Sequence, residues 1–114
     1  MLKKNLRFGK GFRVTIGSKH SQAAEMVLGK DDKEGDPQNK HQGADQWLFV
    51  VEGQGTALIN GRRYVLKPGT LILIEKGDRH EIRNAGKELL RTLNIYVPPA
   101  YRKDGQPLPR GKRN

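Results

Sequence analysis

At 114 residues and a net charge of +10, the chain can build one modest core and no more. It has no cysteine, which excludes disulfides, thiolate nucleophiles and cysteine-bound clusters and makes the cytoplasm the expected compartment. No apolar run approaches membrane-spanning length, and no apolar stretch follows the charged start as it would in a secretory signal.

In chain order, residues 1–10 form a basic N-terminal segment, and residues 1–13 carry Lys3, Lys4, Arg7, Lys10 and Arg13 without an acid. Phe12, Val14 and Ile16 alternate with Arg13 and Thr15, which predicts a half-buried strand. Residues 21–28 suit a helix or a strand, because Ala23-Ala24-Glu25-Met26 fits both; the all-β surroundings favour the strand. Residues 29–43 are polar, with Gly, Pro, Asp, Asn and Lys throughout, and read as one loop. Loops of that length in a small domain are usually functional or mobile.

Residues 46–52 predict a strand, Gly53-Gln54-Gly55 a turn, and residues 56–59 the return strand. Asn60-Gly61 predicts a hairpin turn whose two central residues take positive φ. Further strands are expected at 62–66, 70–74, 79–84 and 89–97, before Pro98 and Pro99 end the sheet. One domain therefore spans residues 11–98, and residues 99–114 form a basic C-terminal tail. Short strands, tight turns and no convincing helix read as an all-β sandwich or barrel.

Residues 14–97 hold twelve basic and eleven acidic residues, so the positive surplus lives in the two ends. Residues 1–8 and 103–114 are expected to be the least ordered parts. They would attract polyanions in a salt-sensitive way. No groove-reading helix or aromatic-studded basic strand appears, so neither a specific nucleic acid nor a membrane is an expected partner.

The most informative segment runs from Gly69 to Asn84. An apolar strand enters the Lys76-Gly77-Asp78 turn, and the next strand opens on His80, which shares one face with Ile82 and Asn84. This segment resembles the second motif of the cupin family: glycine, five residues, proline, any residue, glycine, two residues, histidine, three residues, asparagine. Gly69, Gly77, His80 and Asn84 occupy matching positions, and Glu75 replaces the proline. The stretch from His41 to Gly53 resembles the first cupin motif, in which two histidines and a glutamate precede a glycine. Gly53 matches, and Gln46 stands at the glutamate position. Lys40 and Gln42, or on the longer spacing Asn39 and His41, stand at the histidine positions.

The resemblance covers roughly residues 38–98 and implies a cupin-type double-stranded β-helix, a jelly-roll barrel. It implies a small-molecule pocket lined by Gln42, Asp45, Leu48, Val50, Ile82 and Asn84. It also implies a divalent-ion site (Zn, Ni, Mn or Fe) at His41, Gln46 and His80. Glutamine ligates only through a neutral oxygen, so such an ion would be held weakly. Asp45 points the opposite way from Gln46 in a regular strand, which suits orienting the loop better than binding an ion. Two functions stay open: a metal-dependent isomerase, oxygenase or lyase, and a metal-free barrel that binds a carbohydrate-like ligand. If Gln46 faces inward with Leu48 and Val50, then Trp47, Phe49 and Val51 face outward. They would be covered either by residues 12–28 or by a second copy, and the resemblance implies a homodimer.

Overall fold

A computed structural model describes residues 1–36 and 43–108, and among these every regular element is a strand. In chain order they are β1 (Gly11–Gly17), β2 (Gln22–Leu28), β3 (Lys33–Asp36), β4 (Asp45–Glu52) and β5 (Gly55–Ile59). There follow β6 (Arg62–Leu66), β7 (Leu71–Ile74), β8 (His80–Arg83) and β9 (Leu90–Val97). The described strands form two antiparallel sheets, β1-β2-β9-β4-β7 and β3-β8-β5-β6, so the fold is the expected all-β jelly roll.

Alternation decides the core. Met26, Leu28, Leu48, Val50, Ile74 and Leu90 of the larger sheet pack against Ala57, Leu66 and Ile82 of the smaller one. These residues are at most 7% exposed. The turns follow their chemistry: Asn60 and Gly61 both take positive φ (50° and 84°), as the hairpin requires. Gly53 is held at φ 93°, and a Cβ there would stand 2.8 Å from Leu90 Cα and overlap the Leu89 carbonyl oxygen. The glycine of the first motif thus lets the end of β4 pass directly over the start of β9.

One expectation fails. Residues 29–43 are not a single loop, because Lys33–Asp36 pair with Arg83–His80 as the edge strand β3. Lys-Glu-Gly-Asp has poor strand propensity; the exposed edge of β8 supplies the ladder that the side chains do not encode. The N-terminus also carries more structure than its composition suggests. Glu25, 1% exposed, accepts the Phe8 backbone N–H, while Arg91 Nε donates to the Phe8 carbonyl at 3.1 Å. Residues 109–114, half of the 103–114 stretch expected to be loose, lie outside the described residues.

The outer face of the larger sheet is apolar across several strands. Leu73, Trp47 and Ile95 form one cross-strand row, and Leu71, Phe49 and Leu93 the next. Trp47 is 41% and Phe49 39% exposed. Residues 12–28 do not cover them, because β1 and β2 lie beyond β9 in the same sheet.

Candidate functional site

The inner face of the larger sheet becomes polar towards one end. Gln46, Asn94 and Thr92 point into the barrel among apolar neighbours and are 3%, 0% and 0% exposed. They form a chain. Gln46 Nε2 donates to Asn94 Oδ1 at 2.8 Å, Asn94 Nδ2 to Thr92 Oγ1 at 3.0 Å, and Thr92 Oγ1 to the Met26 carbonyl at 2.7 Å. Burying three polar side chains is tolerable only because each has a partner. Gln46 Oε1 is the exception: it has no hydrogen bond among the described residues.

Gln46 lies beside Tyr96 across the β4–β9 ladder. Tyr96 is 1% exposed, and its ring meets Tyr101 edge-on at a centroid distance of 5.1 Å; Phe12 lies 4.7 Å from Tyr101 on the other side. Tyr101 belongs to the segment after β9, which Gln22 ties down. Gln22 Nε2 donates to the Tyr101 carbonyl at 2.7 Å, and its Oε1 accepts the Ala100 and Tyr101 N–H groups at 3.1 Å. The beginning of the C-terminal tail is therefore part of the barrel wall.

On the opposite sheet, His80 is half-buried and in register with Ile59 and Asp36, while Ile82 beneath it is in register with Glu34. The imidazole lies over Gly35, where a Cβ would stand 3.2 Å from His80 Cδ2 and 2.6 Å from the His80 carbonyl oxygen. Glu34 shares a face with Ile82 and is near enough to Tyr96 and Tyr101 for its charge to act on them. Although its side chain is exposed at the sheet edge, partial desolvation raises its carboxyl pKa above the usual range. Burial pushes the Tyr96 phenol well up and the Tyr101 phenol up, and the Glu34 charge adds to both.

Of the candidate residues, Gln46, Leu48, Val50 and Ile82 line the barrel interior, with His80 at its edge. His41 and Gln42 lie outside the described residues. Asp45 is occupied at the rim, where Oδ1 accepts the Lys76 backbone N–H at 2.8 Å and fixes the β7–β8 turn. Asn84 is buried and fully used by backbone groups, so its place in the motif is structural. Glu34, Thr92, Asn94, Tyr96 and Tyr101 were not singled out by sequence. The available signal was the alternation Leu90, Thr92, Asn94, Tyr96, in which two polar residues share a face with two large apolar ones.

Among the described residues the donor set does not fit a tightly held transition-metal ion; His41, the remaining implied ligand, lies outside them. Among the described residues no three His, Cys, Asp or Glu side chains converge. The position of the implied carboxylate is an amide, whose nitrogen is engaged with Asn94.

Residues 24–96 match the cupin domain family. Over 54 residues the chain is 39% identical to an L-ectoine synthase of Saccharopolyspora erythraea, a match covering 46% of this chain and 38% of that protein. It spans less than two thirds of the length of the curated relatives it matches. Among solved structures it is similar to BH2720 from Bacillus halodurans, with a TM-score of 0.71 and 25% identity over 87% of this chain and 76% of that one. It is also similar to a predicted oxalate decarboxylase of Thermotoga maritima, with a TM-score of 0.63 and 26% identity over 71% of this chain and 69% of that one.

Proposed function

The chain belongs to the cupin family, and on that premise we propose that the polar end of its barrel binds a small organic molecule directly, by hydrogen bonds and without a metal ion. The observation that carries this reading is Gln46: a side chain 3% exposed, on the inner face, whose amide oxygen has no partner among the described residues. A buried acceptor left unsatisfied costs about 1–3 kcal/mol, which a ligand donor would recover. Asn94 and Thr92 hold the amide in place, Tyr96 and Tyr101 supply aromatic wall, and His80 faces the interior from the other sheet. Fixed amides and hydroxyls of this kind orient a polar ligand inside an otherwise apolar pocket.

A pool of small polar organic compounds tests the reading, followed through the side-chain amide resonances of Gln46 and Asn94. At least one compound class should shift both resonances in the wild-type protein, and Gln46→Leu should abolish the shift at Asn94. If no compound moves either resonance in the folded protein, the interior is not a binding site.

A metal-dependent reaction is the second reading. His80 at the motif position and the similarity to a predicted oxalate decarboxylase favour it. Fold likeness by itself assigns no chemistry, since one fold carries many activities. We propose further that the apolar outer face around Trp47 and Phe49 receives a second copy of the chain.

A further inference from the structure

The direction of the buried hydrogen-bond chain indicates what kind of group the ligand must bring, given that the barrel interior is its site. The Met26 carbonyl can only accept, so Thr92 Oγ1 must donate to it across 2.7 Å. Its single proton spent, that hydroxyl oxygen can only accept from Asn94, and the Asn94 atom 3.0 Å away must be the NH2 group. Asn94 Oδ1 is therefore turned to Gln46 and takes a proton from Gln46 Nε2 at 2.8 Å. Both amide orientations follow from one backbone carbonyl, and the chain ends on Gln46 Oε1 as an acceptor.

A second acceptor stands on the opposite sheet, at the exposed edge of the barrel. Glu34 shares the inner face of the smaller sheet with Ile82. Its charge is felt by Tyr96, the cross-strand neighbour of Gln46, and by Tyr101. Among the described residues Glu34 has no ion pair. A neutral oxygen acceptor, a carboxylate with no ion pair among the described residues and two aromatic rings suit a cation better than any anion.

We propose that the ligand of this site is a small organic ammonium compound, whose N–H groups donate to Gln46 Oε1 while Glu34 supplies the opposite charge. The basic tails do not argue against this, because the charge of residues 14–97 is close to balanced.

The test compares three probes with the same four-carbon chain: butylammonium, 1-butanol and butyrate, titrated into the full chain at one pH and ionic strength. The readout is the side-chain amide resonances of Gln46 and Asn94. Butylammonium should act at a concentration about tenfold or more below the other two, the scale of one charge-assisted hydrogen bond. Glu34→Gln, at an exposed position on an edge strand, should raise the butylammonium midpoint about tenfold while the fold is kept. The proposal is overturned if butanol or butyrate acts at the same or a lower concentration, or if Glu34→Gln leaves the midpoint unchanged. It is also overturned if the polar pool shifts these resonances and butylammonium does not, in which case the interior site stands and only its charge preference falls. If neither pool nor probes act, the site reading falls with it.

Discussion

Asn84→Ala should destabilise the protein by about 3–5 kcal/mol, a large share of the roughly 5–15 kcal/mol available to a domain of this kind. Asn84 Nδ2 donates to the Leu28 carbonyl at 2.9 Å and to the Glu88 carbonyl at 2.8 Å, and its Oδ1 accepts the Gly86 N–H at 2.8 Å. The side chain thus ties together the end of β2 and the turn between β8 and β9. Alanine leaves a cavity and two carbonyls and one amide without their partner. Asn84→Asp keeps the acceptor for Gly86 but loses both donors and sets a carboxylate against two carbonyl oxygens, so it should be no milder. Urea unfolding with an unchanged m-value would register the loss, with a fall in Tm of roughly 15 °C. A loss below about 1 kcal/mol would contradict this account of the motif asparagine.

The second large effect concerns association. The rows Leu73–Trp47–Ile95 and Leu71–Phe49–Leu93 make a flat apolar patch whose centre is Trp47. Patches of this extent are uncommon on monomeric proteins, and aromatic side chains at the centre of an interface carry much of its energy. Trp47→Asp places a carboxylate between Leu73 and Ile95, where pairing with a second copy would have to desolvate it. The variant should weaken self-association more than about a hundredfold and leave the fold intact, because Trp47 contributes nothing to the inner core. Sedimentation of wild type and variant across a range of concentrations decides the matter. A wild-type chain that remains monomeric at high concentration removes the proposal.

The same outer face explains why part of the molecule resists being read from sequence. In β4 both parities are apolar, and the inward choice of Gln46, Leu48 and Val50 came from the family motif rather than from hydrophobicity. In β9 the more apolar parity, Leu93, Ile95 and Val97, points outward, while Thr92 and Asn94 point in. A reader who buried the greasier face would have inverted the strand and lost the polar chain. The hairpin at Asn60-Gly61, the turn before His80 and the inward face of β8 were legible, because turn chemistry and strict alternation act locally. β3 was not legible, since its pairing depends on the edge of β8 and not on its own residues. Glu34 disappeared from view with it. Tyr101 could not be placed because its position depends on Gln22, distant in sequence, whose side chain clamps the chain after β9.

The family motifs also divide by role once the contacts are known. Gly53 permits a close backbone crossing and Asn84 pins a turn, so both serve the fold. Among the described residues, Gln46 and His80 are the motif positions left to face the interior. At Gln46 the sequence departs from the family's carboxylate, and the amide is oriented by its hydrogen bond to Asn94; the proposed site uses it without an ion.

Elemental analysis of untagged protein purified without chelator tests that claim most directly, run beside Gln46→Glu and His80→Ala. Wild-type chains should carry far less than one transition-metal ion each. Gln46→Glu should gain metal affinity, because it restores a carboxylate opposite His80. Close to one ion per wild-type chain, lost on His80→Ala, would contradict the hydrogen-bonded site and make the metal-dependent reading the correct one.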